Sequence, residues 1–133
     1  MHGESVNHTF VHFEIPSDDL EKMMDFYREV FDWKLIELTG PGMNNVILHT
    51  VPTDDRGMLK EPGVNGGMYK RTERAQMPVN YVSLESVDDY LQKVVKNGGR
   101  VLVPSTEVSN IGFIALINDP EGNPLGLIQP RER

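Results

Sequence analysis

Along residues 10–35, FVHFEIPSDDLEKMMDFYREVFDWKL, the hydrophobic pattern changes period partway through. Val11, Phe13 and Ile15 alternate with His12 and Glu14, a period of two that predicts a strand at about 9–16 with one apolar and one polar face. Leu20, Met23, Met24, Tyr27, Val30 and Phe31 then recur at spacings of three and four, which predicts an amphipathic helix whose methionines pack in a core. Asp18 with Glu21 reads as its capping box. WKLIEL (33–38) is the next strand, TGPG (39–42) a turn, and NNVILHTV (44–51) a further strand. A polar loop (52–63) leads into VNGGMYKR (64–71), a strand softened by paired glycines, and TERAQMP (72–78) is a linker.

The pattern then starts again. VNYVSLES (79–86) alternates, with Val82 and Leu84 on one face and Tyr81, Ser83 and Glu85 on the other. Ser86 with Asp89 caps a second helix, whose stripe is Val87, Tyr90, Leu91, Val94 and Val95. NGGR (97–100) ends it through a left-handed glycine. RVLVP, GFIALIND and PLGLIQ follow as strands, the last two joined by the turn DPEGN (119–123). Each half therefore reads strand, helix, strand, strand, strand, an α+β plan of two tandem βαβββ modules (9–71 and 79–129) in one domain spanning 1–133. Aligned by residue, His12 falls opposite Tyr81, Phe13 opposite Val82 and Ile15 opposite Leu84, with Asp18-Asp19 opposite Asp88-Asp89 one position later.

Composition narrows the function. The formal charge of −7 argues against nucleic acid or an anionic membrane as partner, since both select a basic patch. The chain has no cysteine, so disulfides, thiolate nucleophiles and Cys-type metal sites are excluded. No signal peptide and no bilayer-length apolar run are visible, and the expected compartment is the cytoplasm. A small molecule is the expected partner.

Three stretches, VHFEIPSDDLEKMMDFYREVFDWKL, NYVSLESVDDYLQKVVKNGGRV and NDPEGNPLGLIQP, in this order and spacing, resemble the vicinal oxygen chelate superfamily of glyoxalases, bleomycin-resistance proteins and extradiol dioxygenases. The resemblance implies that each module forms a curved four-stranded sheet of order 1-4-3-2 and that the two enclose a cleft for ligand and often a divalent metal. It also implies a homodimer. The family's metal ligands come from the first and last strand of each module, which carries over here to His12, Tyr81, Gly67 and Gly126.

That ligand set is poor. His12 supplies one nitrogen, whereas a transition metal wants three or four nitrogen or carboxylate donors. A phenol with an ordinary pKa of about 10 is a weak ligand near neutrality, and glycine offers no side chain. Glu14, roughly 6.5–7 Å along the same strand face, and His49 are the neighbours that would have to help. No cofactor is therefore expected, a divalent metal through His12 being the disfavoured alternative.

The candidate catalytic residues are His12, Glu14 and Tyr81: a general acid or base, the carboxylate that tunes it, and a donor to an oxyanion. His49, Tyr69, Ser83 and Phe113 join them as ligand-binding candidates, with Phe113 and Ile117 as apolar walls. Plainer readings stand beside these. On these, His12 pairs with Glu14, Tyr81 or a carbonyl, Lys70 and Arg71 are strand-end charges, Trp33 and Phe31 pack where helix meets sheet, and His2 and His8 belong to a loose terminus. Three functions stay open: a small-molecule binder without the family metal, a lyase or isomerase acting on a carbonyl metabolite, and a non-catalytic interaction subunit.

Overall fold

The computed structural model describes residues 7–38, 40 and 44–131. The turn expected at 39–42 and His2 lie largely or wholly outside them. The chain is α+β, with eight strands and two helices that divide into two compact units, one of residues 12–78 and one of 7–11 with 79–131.

The first unit holds β1 (Phe10–Ser17, most of it), α1 (Leu20–Phe31), β2 (Lys34–Leu38), β3 (Asn45–His49) and β4 (Gly66–Lys70). Its strand order is β2-β3-β4-β1, with β1 parallel to β4 and the other pairs antiparallel. Alternation gives the sheet two unlike faces. On one, Leu35, Val46, Leu48 and Met68 meet Met24 of α1, with Phe13, Ile15, Leu20, Met23, Tyr27 and Trp33 packed around them. Leu48 is 0% and Met68 1% exposed, so each contributes about 1.5–3 kcal/mol by leaving water. The other face carries His12, Glu14, Gly67, Tyr69 and His49, and among the described residues no helix of this unit covers it.

The helix differs from expectation at both ends. β1 runs on to Ser17, so the cap falls on Asp19, whose carboxylate accepts from the Lys22 amide at 3.2 Å. Asp18 instead pairs with the Arg71 Nε at 3.0 Å, and its carbonyl accepts from Lys70 Nζ. Arg71 also donates to the Gln76 carbonyl, so these two cations tie the end of β4 to the β1–α1 corner. Val30 and Phe31 are exposed rather than part of the buried stripe, although Phe31 stacks on Trp33 at 5.3 Å and Trp33 on Tyr27 at 4.9 Å.

The second unit repeats the plan with β5 (Val79–Ser83), α2 (Val87–Lys96), β6 (Arg100–Val108), β7 (Gly112–Asn118) and β8 (Pro124–Pro130), ordered β5-β8-β7-β6. Ser86 caps α2 by accepting from the Asp89 amide at 3.2 Å, and Gly98 takes the left-handed turn after it. Leu84, Val87, Ala115, Ile117 and Leu127 form the core beneath α2, while Val95 of the expected stripe is exposed. Asp119 builds the β7–β8 turn, its carboxylate accepting from the Glu121 and Asn123 amides and the Asn123 side chain at 2.9 Å. Among the described residues no helix is long and apolar enough to cross a membrane.

Candidate functional site

The helix-free face of the first unit gathers a polar group. His12 and Glu14 point the same way from β1, and their side chains join, the imidazole Nε2–H donating to a Glu14 carboxylate oxygen. A carboxylate can only accept, so this bond places a proton on Nε2. Both side chains are about one-third exposed, His12 at 35% and Glu14 at 28%, and therefore reachable by a solute.

Two strand registers explain how the carboxylate lies down. Glu14 is opposite Gly67 in the parallel β1–β4 pair, and a Cβ placed at Gly67 would stand 2.8 Å from one Glu14 carboxylate oxygen and 3.0 Å from the other. The carboxylate thus rests across β4 where any other residue would begin its side chain. Tyr69, two residues on and on the same face, is close enough that the Glu14 charge acts on it. Burial first, and Glu14 second, raise its phenol above the ordinary value of 10.0, with Arg71 pulling the other way. Tyr69 is consequently a neutral hydrogen-bond donor across the physiological range.

The structure brings His12, Glu14 and Tyr69 together but not His49. His49 sits on β3 with β4 between it and β1, about 10 Å across the sheet. It lines instead a cavity of about 250 Å³ with Asp32, Lys34 and Thr50, at the β2–β3 end of the sheet. Beside that cavity the Asn65 carboxamide accepts from the Thr50 and Val51 amides and donates back to the Val51 carbonyl.

In the second unit Tyr81 and Ser83 are buried on the face away from α2, Tyr81 at 8% exposure. Phe113 is a correction. It shares its face of β7 with Ala115 and Ile117, the face covered by α2, so strand alternation turns it away from the Tyr81 side, and Ile117 is core rather than pocket wall. The pairing of the two halves also shifts. Tyr81 is opposite Gly126 as Glu14 is opposite Gly67, and the caps Ser86 and Asp19 keep the same offset. Tyr81 therefore corresponds to Glu14, and the counterpart of His12 is Val79, a buried apolar residue.

The family's metal can be tested against these residues. Val79 cannot ligate, Gly67 and Gly126 have no donors, and their Cβ space is filled by Glu14 and by the Tyr81 ring. Among the described residues no three His, Asp or Glu side chains converge on one point. The residues present do not fit a three- or four-ligand metal centre.

One cluster escaped sequence reasoning. His8 meets Tyr90 edge-on at 5.2 Å and donates to its hydroxyl at 3.1 Å, while that hydroxyl donates to Glu85 at 2.6 Å. The hydrogen bond from Tyr90 lowers the Glu85 pKa and raises that of Tyr90. Nothing in the local sequence pairs residues so far apart, and beside the contact the Ser83 amide donates to the Thr9 carbonyl. His8 and Glu85 are exposed and Tyr90 is half-buried, and the cluster holds the N-terminal segment to α2.

Comparison with known proteins agrees with this architecture. The putative glyoxylase CFP32 of Mycobacterium bovis and of Mycobacterium tuberculosis is 26% identical over 121 residues, which is 87% of this chain and 43% of the relative. The chain thus spans less than half the length of these relatives. Among solved structures, hypothetical protein BH1468 from Bacillus halodurans C-125 superposes with a TM-score of 0.67 at 12% identity, covering 96% of this chain and 98% of that one. Methylmalonyl-CoA epimerase from Mycobacterium tuberculosis gives 0.65 at 14% identity, covering 99% and 94%. Likeness at such identities shows the fold alone. The family model described as Glyoxalase/Bleomycin resistance protein/Dioxygenase superfamily matches residues 9–127. The chain belongs to that superfamily, the vicinal oxygen chelate fold.

Proposed function

We propose that this chain binds a small organic molecule by hydrogen bonding to the His12–Glu14 pair, without the divalent metal used elsewhere in the superfamily. The observation that carries the reading is the joined, partly exposed His12–Glu14 pair lying over Gly67 beside the neutral phenol of Tyr69. Such a group presents an acceptor carboxylate and a donor hydroxyl on one sheet face, a common recipe for orienting a ligand that carries carbonyl or hydroxyl groups. The test is a thermal-shift screen of metabolites and hydrophobic antibiotics, followed by calorimetry on the hits. A genuine ligand loses at least tenfold in affinity in Glu14→Gln or His12→Asn. A ligand that binds both variants as tightly as the wild type contradicts the reading.

A second reading is favoured by the Glu14 carboxylate bonded to the His12 imidazole, the pairing of a proton-transferring ring with the group that orients it. His12 would take a proton from the carbon beside a carbonyl while Tyr69 donates to the enolate oxygen, the chemistry of an isomerase or lyase. Exchange of that proton for deuterium in heavy water, abolished by His12→Asn, separates it from simple binding. We also propose a homodimer, supported by the β6 edge strand, where Val101, Leu102 and Val103 are exposed beside unpaired backbone. Sedimentation at micromolar concentration tests it, and a clean monomer would remove it.

A further inference from the structure

The same close approach occurs independently in each module. In the first, Glu14 of β1 lies across Gly67 of β4, its Cδ 3.2 Å and its nearer oxygen 2.8 Å from the position of a Cβ there. In the second, Tyr81 of β5 lies across Gly126 of β8, its ring carbons 2.3 to 2.6 Å from that position. Both contacts are made on parallel neighbours at directly opposite residues, Glu14 with Gly67 and Tyr81 with Gly126. A side chain standing upright would not need this room, and one lying over the next strand cannot do without it. Other tight glycines behave differently. Beside Gly66 the obstacle is the Phe13 carbonyl, and beside Gly112 it is backbone of residues 129–131, so those serve chain packing rather than a polar group.

We propose that Gly67 and Gly126 are positioning residues, each the seat on which a first-strand side chain lies, and that the seat at Gly67 holds the Glu14 carboxylate against His12. A side chain at 67 and Glu14 in this seat exclude one another. The first module thus carries its carboxylate on β1 and has none on β4, and the group it presents is a hydrogen-bonding pair rather than half of a chelate. The inference deepens the binding reading above and rests on it for its use, yet its test needs no ligand, so the two can fail separately.

The experiment is 15N NMR of the histidine side chains, with the His12 imidazole assigned by its loss in His12→Asn. The barrier to Gly67→Ala is the end of a flexible side chain, so the variant folds, and the Glu14 carboxylate swings off its seat. Its His12 nitrogens then move to the shifts seen in Glu14→Ala. In a Glu14→Ala background the further change Gly67→Ala moves them no more, because nothing is left to displace. His12 resonances that stay at wild-type positions in Gly67→Ala, or that move equally with and without Glu14, overturn the proposal. Should Gly67→Ala alone fail to fold, the double variant must recover the fold, and a double variant equally unfolded also overturns it. In the second module the urea midpoint lost in Gly126→Ala is largely regained in Tyr81→Ala/Gly126→Ala, and a loss of the same size in both backgrounds contradicts the seat there.

Discussion

Gly66 and Gly67 are neighbours on β4, yet they face opposite sides of the sheet, and alanine should separate them sharply. A Cβ at Gly66 would stand 2.4 Å from the Phe13 carbonyl oxygen and 2.7 Å from the Phe13 ring. Carbon and carbonyl oxygen ordinarily approach to about 3.3 Å, so β1 must retreat by roughly 0.9 Å at that point. A parallel-ladder hydrogen bond stretched by that amount is lost, at about 1 kcal/mol, and overpacking of the Phe13 ring adds about 1–3 kcal/mol. Gly66→Ala should therefore cost about 2–4 kcal/mol. At Gly67 the obstacle is the movable Glu14 carboxylate, and alanine also restricts the unfolded chain, a gain of about 0.4–1 kcal/mol. Gly67→Ala should stay within about 1 kcal/mol of the wild type. Urea unfolding followed by far-UV circular dichroism reads both. With a slope of about 1–3 kcal/mol/M, the Gly66 variant loses about 1 M or more in midpoint while the Gly67 variant shifts by much less. Equal losses at the two positions would refute the assignment of the faces.

Other outcomes follow from single contacts. Glu14→Gln removes a negative charge that holds the Tyr69 proton, so the Tyr69 ionisation seen by ultraviolet titration moves to lower pH, while burial keeps it above 10.0. The Ser17 hydroxyl is buried with no hydrogen-bond partner among the described residues, so Ser17→Ala should be neutral or stabilise by up to about 1–2 kcal/mol in urea unfolding. Ser86→Ala removes the cap of α2 and should cost about 1 kcal/mol by the same assay. Asp119 has its pKa lowered chiefly by the Asn123 side chain. Its contribution is present above the unfolded carboxylate value and is lost as pH falls through the folded one, so Asp119→Asn flattens the acid limb of the stability curve.

The fold was legible because period and punctuation agreed. The alternation at Val11–Ile15, the stripe from Leu20, the Ser86 cap and the DPEGN turn each set a local geometry without help from distant residues. Where tertiary contact decides, the pattern misled. Val30, Phe31 and Val95 have helical spacing but stay exposed, and Asp18 yields the cap to Asp19 while its carboxylate pairs with Arg71. The site was half legible. That His12 and Glu14 share a face follows from a period of two, but their junction depends on Gly67, which arrives from a strand more than fifty residues away. A glycine in a sequence declares room without saying what fills it. Phe113 was misplaced because an apolar run such as GFIALI shows no alternation to tell its faces apart. Alignment of the halves by residue sets Tyr81 opposite His12, whereas strand register pairs Tyr81 with Glu14.

Metal titration tests the central claim most directly. Chelator-treated, dialysed protein is titrated by calorimetry with Zn²⁺, Ni²⁺, Mn²⁺ and Co²⁺, alongside His12→Ala. The donor set predicts only weak binding, in the millimolar range, unchanged by the substitution. One ion per chain bound at micromolar affinity or better, and lost in His12→Ala, would contradict it.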